Sequence, residues 1–204
     1  MHSISIEKRN SNRKLLLVVL FLFVLPALAS FALYFTEWRP SSGVNHGELI
    51  APARAIEDRA MQTIDDKVVK FSELQRKWTM VYFDSAECLE TCMSQLYFMR
   101  QTHASQGKNY DRIQRLFILT DTNSVNQLKS KLTDYSDMMV WKADSVAIAK
   151  LMQDFGVDAQ LSEHKRGIYL LDPQGNLMMR YAPGAQPAGV RKDLERLLKY
   201  SADK

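Results

Sequence analysis

The chain has 204 residues, enough for one compact domain with an appendage and too few for a second catalytic domain at roughly 100–200 residues each. Apolar residues make up 46% of it and charged residues 25%, which excludes a disordered or low-complexity architecture. The net charge of +4 belongs to the N-terminus: residues 1–35 hold Lys8, Arg9, Arg13 and Lys14 against Glu7, leaving 23 basic and 22 acidic side chains in residues 36–204. A nucleic-acid surface is therefore not expected.

Residues 1–14 read as a basic tail. Leu15 to Phe35 is a run of 21 residues without a charge, about the length that crosses a hydrocarbon core as a helix. Basic residues before a first apolar segment resist translocation. The expectation is a single-pass anchor in the inner membrane, N-terminus cytoplasmic, with the rest of the chain periplasmic. Tyr34 and Trp38 suit the interface. Ala27-Leu28-Ala29 after Pro26 resembles a signal-peptide cleavage site, but the apolar run continues past it through Phe31, Leu33 and Phe35, longer than a signal h-region.

Residues 36–54, punctuated by Pro40, Gly43, Gly47 and Pro52, read as an irregular stalk, and residues 55–204 as the extracytoplasmic domain. Val68, Val69 and Phe71 suggest a short strand, and Ser72 a cap for a short helix through Trp78. Thr79 to Phe83 is a near-continuous apolar run, the pattern of a strand buried on both faces. A helix is expected from about Cys92 to Ser105, a buried strand at Arg115–Leu119, a helix at Val125–Leu132, a strand at Met138–Trp141 and a helix at Ser145–Phe155. Ile168–Leu171 and Leu177–Tyr181 flank the Asp172-Pro173-Gln174-Gly175 turn as a hairpin. Val190, Leu194, Leu197 and Leu198 form one apolar stripe on a closing helix after Pro187. The order predicts an α/β sandwich of the thioredoxin type with one N-terminal transmembrane helix.

Cys88 and Cys92 are the only cysteines. Four residues apart between a buried strand and a helix start, they would share one face if the turn is helical. The helix N-terminus favours thiolate, and Glu87 and Glu90 partly oppose it. A structural disulfide is the plain reading of such a pair in an oxidising compartment, yet a bridge closing only five residues contributes just ~2 kcal/mol in the chain-entropy model. The position at a strand end favours chemistry, either electron exchange or metal binding. Oxidoreductases of this fold normally have two residues between the cysteines and a facing proline loop. Here there are three, and the segment Leu161–Gly167 before the hairpin carries His164 and no proline.

Two thiolates and a neutral imidazole make a soft donor set suited to Cu(I), with room for Cu(II) on oxidation. Zinc fits the same donors. His164 taken alone is an ordinary loop histidine, and His2, His46 and His103 read as incidental. Met138-Met139 and Met178-Met179 read as core filler.

The ordering of membrane anchor, buried strand, C-x-x-x-C and a histidine five residues before Tyr169-Leu170 with its Asp-Pro-x-Gly turn resembles the Sco/SenC family. These are membrane-tethered, thioredoxin-fold copper chaperones that help metallate the binuclear copper centre of cytochrome c oxidase. The similarity spans roughly residues 48–199. It is greater still to small Sco-like proteins encoded beside proteobacterial oxidase genes, carried by Asn45-His46-Gly47-Glu48-Leu49, Leu96-Tyr97-Phe98-Met99-Arg100-Gln101, Asp111-Arg112-Ile113-Gln114-Arg115 and Asp172 through Tyr181. The resemblance implies copper ligands at Cys88, Cys92 and His164, with the intervening acidic residue at Glu90. The chain departs from the family in carrying Leu89 where a proline is usual, Glu90 for an aspartate, and a reduced acidic segment at Thr120-Asp121-Thr122.

The expected function is oxidase biogenesis: copper binding through the C-x-x-x-C pair and the loop histidine, and delivery to an oxidase subunit, without substrate turnover. The alternative is a thiol-disulfide reductase, with Cys88 and Cys92 as its redox pair, keeping the oxidase copper-site cysteines reduced. A scaffold with no site is a third possibility. Expected partners are an oxidase subunit or other assembly factors.

Overall fold

The computed structural model describes residues 4–35, 45–74, 76–157 and 167–201. The chain divides into two compact units, residues 1–43 and 44–204. The first contains α1 (Ile4–Phe35), of which Arg13–Leu33 is long and apolar enough to cross a membrane by length and composition. Its apolar side chains from Leu15 onward are exposed, as expected of a surface that faces lipid.

The second unit is built on one eight-stranded mixed sheet. Its strands are β1 (Glu48–Ala55), β2 (Ala60–Thr63), β3 (Val68–Lys70), β4 (Trp78–Asp84), β5 (Ile113–Leu119), β6 (Met138–Lys142), β7 (Ile168–Leu171) and β8 (Asn176–Tyr181). They lie in the order β1-β8-β7-β4-β5-β6-β2-β3. β4, β5 and β6 are parallel neighbours, while β7 and β8 run antiparallel on the other side of β4. The helices are α2 (Glu90–Ala104), α3 (Val125–Lys131), α4 (Ser145–Asp154) and α5 (Pro187–Tyr200).

Every residue of β4 is buried, because the strand is central and both of its faces are covered. Trp78, Met80 and Tyr82 point into one core with Leu96 and Met99 of α2 and Leu194 and Leu198 of α5. Val81 and Phe83 point into the other with Ile148 and Leu151 of α4. Period-two alternation thus divides a uniformly apolar run between two layers, as in a thioredoxin-like sandwich.

Two expectations are corrected. Residues 48–54, read as irregular stalk, belong to β1, which pairs with β8 through Glu48↔Arg180 and Leu49↔Met179 before a bulge; Pro52 is tolerated because β1 is an edge strand. Phe71 leaves the strand and begins a single 3-10 turn, Phe71–Leu74, in place of a helix to Trp78, and Trp78 opens β4. The C-terminal half of α2 buries Thr102 and His103. Met138 and Met179 lie in the first core with Met178 packed against it, and Met139 packs against the second.

Candidate functional site

β4 ends on Asp84, which is buried and held at both of its polar groups. Its carboxylate accepts the Tyr82 hydroxyl at 2.6 Å and the Ser85 N–H at 2.8 Å. Its carbonyl accepts the Thr120 N–H at 2.9 Å. The strand end is therefore fixed before the chain turns. The Cys88 N–H then closes that turn onto the Ser85 carbonyl at 3.2 Å, and Cys88 sits at φ +40°, a left-handed conformation that costs a non-glycine residue ~1–2 kcal/mol. The turn is not helical: Cys88 lies before α2, Leu89 is its N-cap, and Cys92 is in its first turn.

The two cysteines nevertheless meet and form a disulfide, with Cα atoms 5.0 Å apart, within the ordinary range for a bridge. Both are buried and packed in the same core as Leu96 and Met99, while Leu89 between them is exposed. Sequence reasoning missed the group that holds this loop from outside. Lys131, at the end of α3, donates its Nζ to the Glu87 carbonyl at 2.7 Å and the Cys88 carbonyl at 3.1 Å. No local pattern marks it, because the contact spans 43 residues. Glu87 and Glu90 are exposed on the same turn, so the ammonium group of Lys131 lies against the backbone of a turn that also carries two carboxylates.

This arrangement has two chemical states. In the bridged state neither sulfur can donate to a metal. Two electrons and two protons open the S–S bond to two thiols, whose ionised forms are soft ligands and nucleophiles. Among the described residues no group of three His, Cys, Asp or Glu side chains could hold a metal ion. His164 lies outside the described residues. The chain rejoins the sheet at β7, where Tyr169 pairs with Val81 and Leu171 with Thr79, so β7 starts at the end of the sheet where β4 finishes and the cysteine turn begins.

The other histidines separate clearly. His103 is buried, stacked on Tyr110 with ring centroids 3.9 Å apart, and its Nε2 shares a hydrogen bond with the Tyr110 carbonyl at 2.9 Å. Burial pushes its imidazole below the ordinary 6.5, against the smaller upward pull of that bond. His46 lies on α5. Asp193 Oδ2 accepts the N–H groups of His46 and Gly47 at 2.8 and 3.0 Å, and His46 Nδ1 is 3.2 Å from Oδ1. A Cβ on Gly189 would lie 2.7 Å from the His46 ring and one on Gly47 2.5 Å from Tyr181, so both glycines allow this close approach. Burial, followed by the charge and hydrogen bond of Asp193, pushes the Tyr181 phenol upward. His2 lies outside the described residues.

The family model for a transmembrane-like, thioredoxin-like, C-terminal domain matches residues 78–201, more than half of the chain. No curated protein matches. Among solved structures, yeast Sco1 with copper bound aligns with a TM-score of 0.63 at 16% identity, covering 73% of this chain and 95% of that one. BsSco, a member of the Sco family of cytochrome c oxidase assembly proteins in which a disulfide switch is identified, aligns at 0.61 and 13%, covering 74% and 96%. The thioredoxin domain of a thiol-disulfide oxidoreductase from Bacteroides vulgatus aligns at 0.57 and 13%, covering 72% and 98%. These likenesses establish a thioredoxin-like fold. With the match over β4 to the end of α5, the chain belongs to the family of transmembrane-like, thioredoxin-like C-terminal domains.

Proposed function

We propose that the protein is an accessory factor of cytochrome c oxidase biogenesis that binds copper as cargo through Cys88, Cys92 and His164 in its reduced form and passes it to an oxidase subunit. The observation that carries this reading is the cysteine pair itself, brought to bonding distance at the end of the central strand of a sheet that aligns with copper-bound Sco1. The donor chemistry fits. Two thiolates and an imidazole prefer Cu(I) over harder ions, and the segment carrying His164 enters β7 at the cysteine end of the sheet. Copper is taken up only after the disulfide is reduced, so loading is gated by the redox state of the pair. The membrane-spanning helix keeps the domain at the bilayer, with residues 36–204 on the periplasmic face of the inner membrane.

The second reading is a thiol-disulfide reductase acting on oxidase cysteines, and the disulfide favours it directly. The two readings differ at His164. In cells lacking the native gene, Cys88→Ser/Cys92→Ser abolishes oxidase assembly under both. His164→Ala impairs assembly only if copper is carried, and leaves it intact if the pair exchanges electrons alone. Normal assembly by the double cysteine variant defeats both and leaves a scaffold.

A further inference from the structure

At the opposite end of β4 from the cysteines there is a groove of about 940 Å³, a volume suited to a small-molecule site. Trp78, Met178 and Leu197 supply its apolar lining. Trp78 is fixed there, since its Nε1–H donates to Ser201 Oγ at 3.2 Å. Four cations, Arg76, Lys77, Arg112 and Arg196, line it against two acids, Asp111 and Asp172.

These charges are not equivalent. Asp172 spends its carboxylate on its own turn, accepting the N–H groups of Gln174 and Asn176 at 2.9 and 2.8 Å and the Asn176 amide at 2.9 Å. Arg112 braces the wall, donating to the carbonyls of Leu198 and Ser201 at 2.9 and 2.8 Å. Arg76 and Lys77 are exposed side by side. Their turn is pinned by the Arg76 N–H, which donates to the Pro173 carbonyl at 2.8 Å. An apolar floor beneath an exposed pair of cations suits a ligand with an anionic head and an apolar body.

The position selects the ligand. The chain arriving from α1 is fastened to α5 by Asp193 through His46 and Gly47, and Asn45 Oδ1 accepts Arg196 Nη1–H at 3.5 Å. Arg196 also lines the groove, so the tether joins the domain beside it. We propose that this groove binds the phosphate headgroup of an anionic phospholipid, with Arg76 and Lys77 as the phosphate contacts and Trp78 beneath the glycerol backbone. The inference rests on the membrane-spanning helix and is independent of copper.

The test is calorimetric titration of the full-length protein in maltoside micelles with four probes: dihexanoyl phosphatidylglycerol, dihexanoyl phosphatidylcholine, inorganic phosphate and a glutamate-rich peptide. Saturable phosphatidylglycerol binding, at least tenfold tighter than the other three and weakened at least tenfold by Arg76→Gln/Lys77→Gln, is the expected result. Both substituted residues are exposed, so folding is retained, and a thermal melt confirms it. The indole N–H signal of Trp78, assigned with Trp78→Phe, should shift with phosphatidylglycerol in step with the heat. Equal binding of inorganic phosphate would make this a free-anion site and overturn the proposal. Tighter binding of the peptide would make it a protein-docking site, and binding undiminished in the double variant would remove it from the groove; either overturns it too.

Discussion

At the C-terminal end of β4 the chain buries two sulfurs beside a strand end whose only charged side chain, Asp84, is satisfied by its immediate neighbours. On the flank of β5, next to Met80 in register, it buries a different cluster. Arg115 is 1% exposed and paired with Asp137, which also accepts the Tyr110 hydroxyl at 2.8 Å and faces His103. The second cluster is a buried guanidinium paired with a carboxylate, with no covalent bond to make or break. The first consists of two atoms whose bond can be made or broken, in a loop held from outside by Lys131. One region fixes the fold, and the other uses it.

The largest effect on stability is expected where the fixed charges are broken. Asp137→Asn leaves Arg115 buried without its countercharge and should cost about 3 kcal/mol, the low end for a buried pair because Asp137 itself is 42% exposed. Denaturant unfolding measures it, and the reduction potential of the cysteine pair should not move. Cys88→Ser/Cys92→Ser should cost less, at most ~2 kcal/mol, because so short a loop restricts the unfolded chain only slightly. A larger loss would mean that the bridge is structural and would erase the contrast between the regions.

How far the sequence reveals each region follows the same division. The buried strands and the α/β order were legible because apolar periodicity records burial, and Cys88–Cys92 stood out because cysteines are few. The edge strand β1 was hidden by Pro52 and by its exposed residues, which lack alternation. The Arg115–Asp137 pair and the Lys131 brace were hidden for another reason. Charged residues 22 and 43 positions from their partners leave no local pattern, and only the sheet topology brings them together.

The pH dependence of stability should come from the fixed cluster. Because burial holds His103 below 6.5 in the folded state, the unfolded chain binds its proton first. Its stabilising contribution is present above pH 6.5 and is lost as pH falls toward the folded value. Asp137 acts further down the scale. Burial raises its carboxyl, but the hydrogen bonds from Tyr110 and Arg115 outweigh that and hold it below 3.8, so its contribution disappears only beneath that pH. Melting temperatures should therefore fall between pH 7 and 5, and His103→Gln should flatten that segment alone. The smallest effect on stability, under ~1 kcal/mol, is expected for Lys131→Met, which removes one exposed brace. It should instead change the rate of thiol-disulfide exchange several-fold by loosening the loop that presents Cys88, as measured with a small disulfide reagent.

The central claim, that the opened cysteine pair is a copper site, is tested most directly by titrating Cu(I) into the reduced full-length protein in maltoside micelles against a competing chelator. Wild type should hold one Cu(I) with an affinity at least a hundredfold above that of Cys88→Ala/Cys92→Ala. His164→Ala should weaken Cu(I) only modestly, since two thiolates alone can hold it, and weaken Cu(II) severely. Equal Cu(I) affinity in the wild type and the double cysteine variant would contradict the account and leave electron exchange as the function of the pair.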